Sequence, residues 1–235
     1  MAIKKRKKVA IVGFAPSWNK APFADREFEI WGLNELYMYF EKVEGHRWDR
    51  WFEIHQRKLI FESDRQGPEH LKKLASMKCP VYMLDHYDDI PTSVKYPLEE
   101  IMKYFDTNYF TNSISYMLAL AIYEGYEEIH VYGVDMATDT EYETQRASCE
   151  YFIGVAWGKG IKVYVPSEAD LLKTRYLYGY QDEERSAFRA KMKARIADLR
   201  AKHAHHARIV DENRAAMEQF SGAIQDAEHI LKNWG

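Results

Sequence analysis

Cysteine is nearly absent from this chain: Cys79 and Cys149 are its only two. Two thiols 70 positions apart build neither a disulfide framework nor a metal site with close ligand spacing, so a reducing, cytoplasmic setting is expected. Long apolar runs are also missing. The longest, residues 116–123, has eight residues, against roughly 20 needed to cross a bilayer. An N-terminal basic cluster at positions 4–8 is followed by only six apolar residues and no small-x-small cleavage site, so it reads as a solvated lead into a first strand rather than a signal peptide. Nor is there an excess of positive charge: the net charge of −3 excludes a whole-surface binder of nucleic acid, because neutralising phosphates demands a surplus of Lys and Arg. Residues 4–8 leave room only for a local phosphate contact.

Proline vanishes after residue 166, and the composition changes near residue 180. Before that point lie short apolar runs at residues 8–14 (KVAIVGF), 28–33, 50–54, 81–84, 129–134 and 161–165. Runs of this length bounded by Gly, Pro and Asn suit strands buried on both faces. Two helices are expected late in this region. Asn112 or Ser113 can cap one over residues 114–124, ending at Gly125, and residues 144–158 form another before Gly160. Residues 63–97, with five prolines and glycines, read as irregular with a short helix at 69–77. Strands alternating with helices predict an α/β fold, a Rossmann-like, mainly parallel sheet of about six strands flanked by helices. This nucleotide-binding domain is expected over residues 1–180. Residues 181–235 are expected to form an amphipathic extension, because Phe188, Met192, Ile196 and Leu199, then Met217, Phe220, Ile224 and Leu231, recur at helical spacing. It is either one long helix or a helical hairpin broken near 203–208. Its narrow stripe needs a partner, either the chain's own sheet or a second copy in a coiled coil, which makes a homo-oligomer the expected state.

In an open parallel sheet, ligands bind beyond the carboxyl ends of the strands. Those ends are polar here: Gly13-Phe14-Ala15-Pro16-Ser17 after the first strand, Asn34 after the second, His55 after the third and Asp135 after Gly133-Val134. Gly13 supplies backbone freedom and Ser17 a hydroxyl for a phosphate. The turn lacks the further glycines of a dinucleotide fingerprint and the lysine of a Walker loop, which argues against both. Asn34 offers an amide to a base edge or a sugar hydroxyl. His55 suits general acid or base work, and Asp135 an attacking group in catalysis, a ribose hydroxyl or a metal. The Asn112-Ser113-Ile114-Ser115 segment opens a helix whose first turn favours an anion. Tyr142 and Glu143, in a polar stretch before the next helix, can close over a ligand. Cys149 has no His or Lys near it to activate its thiol, and His203, His205 and His206 lie at spacings that do not surround one metal ion.

These motifs together, with a strand of the form EIHVYGVD ending at Asp135 and the closing Tyr164-Val165-Pro166-Ser167 and Leu171-Leu172, resemble bacterial CMP-sialic-acid-dependent sialyltransferases over roughly residues 8–172. The pattern is also similar to related Rossmann-like proteins that include archaeal-type hydroxymethylpterin diphosphokinases, and the chain's general style resembles phage-encoded proteins. The resemblance implies that Gly13, Pro16 and Ser17 lie near the nucleotide phosphates, Asn34 near the cytidine or sugar, and Ser113 or Ser115 near the nucleotide. There is one departure. Such sialyltransferases carry a histidine base after the strand that here ends at Asp135, yet this chain has no histidine between His130 and His203. The role falls to His55 or to a carboxylate such as Glu143, or the chemistry differs.

The expected function is therefore a nucleotide-dependent transferase, most concretely a glycosyltransferase taking a nucleotide-sugar donor, with the acceptor undefined. A Mg²⁺-dependent diphosphokinase would use the same crevice, with Asp135 and Asp139 as candidate metal ligands. A non-catalytic nucleotide-binding or assembly protein, oligomerising through its tail, is the alternative from a different class.

Overall fold

A computed structural model of the chain describes residues 7–39, 45–62, 66–136, 143–174 and 177–234, and only the backbone of residues 143, 182–185 and 234. It divides into two compact units, Met1–Lys173 and Thr174–Gly235. Among the described residues no helix is long and apolar enough to cross a membrane.

The first unit is built on one seven-stranded sheet. Its strands are β1 (Lys8–Val12), β2 (Phe28–Leu33), β3 (Arg50–Glu53), β4 (Val81–Met83), β5 (Ser93–Lys95), β6 (Glu128–Tyr132) and β7 (Lys162–Tyr164). They run in the order β5-β4-β3-β2-β1-β6-β7, every neighbouring pair parallel. The helices are α1 (Arg57–Glu62), α2 (Gly67–Ala75), α3 (Leu98–Phe105), α4 (Ser113–Tyr123) and α5 (Glu143–Gly158). The six apolar runs all became strands. β5 lies inside the stretch read as irregular, because Ser-Val-Lys carries no apolar alternation and is a strand only through its ladder to β4. α1 and α3 are likewise additions.

Order along the sheet reverses between β1 and β6: the chain leaves β1 toward β2 on one side and reaches β6 on the other. Strands that diverge there leave a crevice past their carboxyl ends. Two glycines set its floor. Gly133 has φ +65°, and a Cβ on it would stand 2.3 Å from the Gly13 carbonyl oxygen; a Cβ on Gly13 would stand 2.4 Å from that of Gly133. The two backbones pass in direct contact, held by Gly13 N–H donating to Tyr132 O (2.8 Å) and Ala15 N–H to Gly133 O (2.9 Å).

α4 is apolar around most of its circumference, from Ile114 to Ile122, and is buried accordingly. Asn112 caps it, its Oδ1 accepting from Ser115 N–H at 3.0 Å. At the opposite edge of the sheet, Arg50 at the start of β3 grips the far end of α4. Its guanidinium donates to both oxygens of Glu124 (2.7 and 2.8 Å) and to Glu29 (3.1 Å), and lies over the Trp31 ring. The planar fork matches the carboxylate and so fixes the helix axis against the sheet.

The second unit contains α6 (Asp182–Trp234), one uninterrupted helix of 53 residues. No hairpin break occurs at 203–208. That segment, His-Ala-His-His-Ala-Arg, has neither Gly nor Pro, and nothing in it competes with helical hydrogen bonding. The one glycine, Gly222, is carried at a cost of about 1 kcal/mol.

Replacing Gly133 by Ala forces a Cβ into the Gly13 carbonyl on top of a left-handed backbone. We expect a loss of about 3 kcal/mol, and a Tm lower by roughly 6–12 °C. Gly125→Ala, also at positive φ but with open space around it, should cost only about 1 kcal/mol. Thermal unfolding followed by tryptophan fluorescence compares the two; equal losses would remove the glycine contact from the account.

Candidate active site

The parallel register carries the ends of β1, β2, β3 and β6 to one rim, and around them lies a crevice of about 720 Å³. Gly13 to Ala15 line it from β1, Asn34 and Glu35 from β2, His55 from β3, and Gly133 to Met136 from β6. Thr111 to Ile114 close one side with the first turn of α4, and Gln145 of α5 stands beside them.

His55 is held by a carboxylate. Its Nδ1–H donates to Oε1 of Glu53, the last residue of β3 and wholly buried. The other oxygen of Glu53 accepts from Nε2 of buried His70 at 2.7 Å, and Nδ1 of His70 meets the Tyr37 hydroxyl at 2.8 Å. A buried carboxylate is tolerated only when paired and hydrogen-bonded, and here two imidazoles supply both. With Nδ1 engaged, the His55 tautomer is fixed and Nε2 remains for a substrate. The hydrogen bond to Glu53 raises the His55 pKa above its ordinary 6.5, against the opposing effect of burial, and the charges of Glu53 and Glu35 add to it. Burial alone would raise the Glu53 pKa, but the hydrogen bonds from His55 and His70 outweigh it and bring the group below its ordinary 4.5.

Two residues of the crevice lining carry a buried acceptor with no partner among the described residues: Oδ1 of Asn34 and Oδ1 of Asp135. Asn34 holds a left-handed backbone, φ 50°, its N–H donating to Phe52 O (2.9 Å) and its carbonyl accepting from the Trp51 indole (3.1 Å). The main chain is pinned and the side-chain amide left over. Burial, then the nearby charge of Asp170, raises the Asp135 pKa above its ordinary 3.8. Buried acceptors left without donors cost stability.

Other residues singled out in the sequence have structural engagements. The Ser17 hydroxyl is buried and accepts from Gly133 N–H at 2.9 Å; it braces the glycine contact and stands outside the crevice lining. Pro16 opens the 3-10 turn Pro16–Lys20 and also lies outside the lining. The N–H of Gly13 is spent on Tyr132, so this glycine serves close approach rather than phosphate donation. Asn112 lines the crevice but is fully occupied, capping α4 and donating through Nδ2 to Gln145 O (2.8 Å). Ser115 is buried, its hydroxyl donating to Asn112 O at 2.7 Å. Ser113 lines the crevice. Glu143 is the first residue of α5, described by its backbone alone, while Asp139 and Tyr142 fall outside the described residues.

Glu53, His70, Tyr37 and Glu35 were not singled out in the sequence. The one local signal was a carboxylate closing the apolar strand Arg50-Trp51-Phe52-Glu53; His70 and Tyr37 come from elsewhere in the chain and leave none. Burial pushes the Cys149 thiol up to about 12 and the Cys79 thiol up to about 11, so neither supplies a thiolate nucleophile. Among the described residues no three His, Cys, Asp or Glu side chains are grouped to hold a metal ion.

No protein-family model matches the chain, and no curated protein does. Solved structures similar to it include sialyltransferases. One is CstII from Campylobacter jejuni in complex with the substrate analogue CMP-3FNeuAc: 19% identity, 67% of this chain and 79% of that chain covered, TM-score 0.44. The sialyltransferase Cst-II in complex with trisaccharide acceptor and CMP matches at 18% identity over 73% of this chain and 89% of that chain, TM-score 0.47. The monofunctional α-2,3-sialyltransferase Cst-I from the same bacterium matches at 14% identity over 84% and 97%, TM-score 0.46.

The Glu53–His55 pair makes stability depend on pH. Folding favours protonated His55, a contribution complete below pH 6.5 and lost as pH rises through the raised folded pKa. Folding favours ionised Glu53, a contribution complete above pH 4.5 and lost as pH falls through the lowered one. The stability lost in His55→Gln should therefore be largest between pH 4.5 and 6.5 and shrink above it. Urea titrations across pH measure that gap, and NMR should show the His55 pKa falling toward 6.5 in Glu53→Gln. A gap independent of pH would mean the pair is not ionic.

Proposed function

We propose that this chain is a nucleotide-dependent glycosyltransferase whose nucleotide-sugar donor occupies the crevice beyond β1, β2, β3 and β6. The observation that carries the reading is the pairing, within one crevice, of a carboxylate-held histidine with two partnerless buried acceptors and a helix N-terminus. A nucleotide sugar presents the matching chemistry. Its hydroxyls and base amino group donate to Asn34 Oδ1 and Asp135 Oδ1, and its phosphate suits the positive end of α4 at Ser113 and Ile114. The choice of a glycosyl donor follows the sequence resemblance over residues 8–172.

The chemistry needs an acceptor hydroxyl to attack the anomeric carbon of the donor. Its oxygen forms the new bond as the bond from that carbon to the phosphate oxygen breaks, and its proton passes to Nε2 of His55. Glu53 stabilises the imidazolium that results, and charge gathering on the departing phosphate is met by the α4 dipole. The missing histidine after β6 is thereby replaced by one at the end of β3, on the same rim. The exposed apolar residues of α6 favour a second reading, a binding or assembly protein acting through its tail.

The readings separate on two variants. With a glycosyltransferase, His55→Ala should lower kcat by about 10²- to 10⁴-fold with donor affinity retained. Asn34→Ala should weaken nucleotide binding about tenfold, the worth of one buried hydrogen bond. The rate should rise with pH through a value above 6.5, as His55 loses its proton. The first measurement is a thermal-shift screen with CMP, UDP, GDP, ADP and their sugar conjugates. Stabilisation by one nucleotide family, reduced in Asn34→Ala as a tenfold weaker affinity requires, supports the reading. No shift at millimolar ligand would overturn it, and function lost on removing residues 182–235 but kept in His55→Ala would establish the assembly protein.

A further inference from the structure

α6 leaves its apolar residues in solvent: Met217, Phe220 and Leu231 are 72%, 70% and 75% exposed, and Ile196, Leu199, Val210 and Ile224 are each about half exposed or more. Their spacing is regular. The positions 192, 196, 199, 203, 206, 210, 213, 217, 220, 224, 227 and 231 are separated alternately by four and three residues, and all but His203, His206 and Asn213 are apolar. A repeat of seven residues kept over this length has a period of 3.5, shorter than the 3.6 of a straight helix, and defines the seam of a left-handed coiled coil rather than the broad face of a helix lying on a sheet. The i, i+4 ion pairs of the helix, such as Lys202 with Asp198 at 2.8 Å, stabilise its outer surface and leave the seam uncovered.

Charge along α6 identifies what covers it. Residues 182–208 carry eight Lys and Arg against four acids, three of them at 182–184, before the stretch that the second copy would cover; residues 209–233 carry five Asp and Glu against Arg214 and Lys232. Two copies laid parallel would set basic half on basic half and acidic half on acidic half. That register would also bring Arg195, just before Ile196, against Arg200 of the second copy, the flanking positions through which coiled coils choose orientation. Laid antiparallel, the basic half of each lies on the acidic half of the other. The seam then closes on itself about a two-fold axis between residues 211 and 212: Ile196 opposite Ala227, Leu199 opposite Ile224, Val210 opposite Asn213. The three polar positions never meet their own kind. His203 faces Phe220 and His206 faces Met217, whereas a parallel pair would stack each histidine on its own copy.

We propose that the protein is a dimer, held by an antiparallel coiled coil of α6 with α6 of a second copy in this register. The interface is self-complementary, the requirement of a closed two-fold dimer, and it is independent of what the crevice binds.

Light scattering on the full chain reads the mass, and spin-label distances read the direction. In a Cys79→Ser background, a label at Ala194, on the face opposite the seam, should lie about 50 Å from its counterpart along the dimer axis, from 35 residues at 1.5 Å each. A label at Ala215 should lie within about 25 Å, since only seven residues separate the pair along the axis. Short distances at both sites would mean a parallel pair and overturn the proposal, as would a monomeric mass at micromolar concentration. Substitution supplies a second check. Leu199→Glu should dissociate the dimer and Leu199→Glu with Ile224→Lys should restore it, because those two positions face each other only when the helices are antiparallel. A double variant that stays monomeric also overturns the register. Near-ultraviolet circular dichroism of the tryptophan-rich first unit should be unchanged throughout.

Discussion

The close passage of two backbones, at Gly13 and Gly133, is the constraint around which the first unit is arranged. β1 and β6 lie side by side at the point where strand order reverses, and the chain must leave both strands without filling the space between their diverging connections. Carbonyl oxygens stand where side chains would otherwise be, and the Ser17 hydroxyl and the Tyr132 carbonyl bind the N–H groups that this contact exposes. With the floor made of backbone, the rim is free to carry side chains from four strands. Residues that looked like ligand contacts in the turn after β1 are thus the means by which the crevice is kept open.

Polar groups at the rim divide into those that hold the site and those that wait for something. Asn112, Ser115 and Ser17 have their hydrogen bonds filled from within the chain, and their effect is to fix α4, α5 and the β6 turn. Asn34 and Asp135 do not. A buried acceptor without a donor costs free energy, which the proposed ligand would recover by donating to it. His55 belongs to neither group: it is tied at one nitrogen through a buried chain from Tyr37 to His70 to Glu53 and open at the other. Such an arrangement raises basicity and restricts rotation together, the two properties that the base proposed above requires.

The second unit follows a different logic. Its helix has no core of its own, and hydrophobic side chains at a seven-residue period are stable in water only when another helix covers them. Opposite net charge in the two halves makes the chain its own complement when reversed. The proposed dimer contact lies in the second unit and the crevice in the first.

Much of this was legible in residue order. Six of the seven strands, α4 with a cap at Asn112 or Ser113, α5 and a helical tail follow from periodicity and end signals, because buried parallel strands and amphipathic helices each have their own apolar spacing; that Asn112 is the cap and the tail one helix came from the structure. Of the four strand-end residues expected on one rim, Asn34, His55 and Asp135 line the crevice, which needs only that their strands be parallel, and Ser17 does not. The heptad and charge asymmetry of α6 are properties of sequence alone. Tertiary structure decided what depends on distant pairing. β5 is a strand only beside β4. Ser17 is a brace because Gly133, 116 residues later, presents an N–H to it. Glu53 becomes the partner of His70 through α2, joining residues that no local pattern links. The side-chain types were set by sequence; which of them are spent within the fold and which are left for a ligand was settled only when parallel strands brought their ends together.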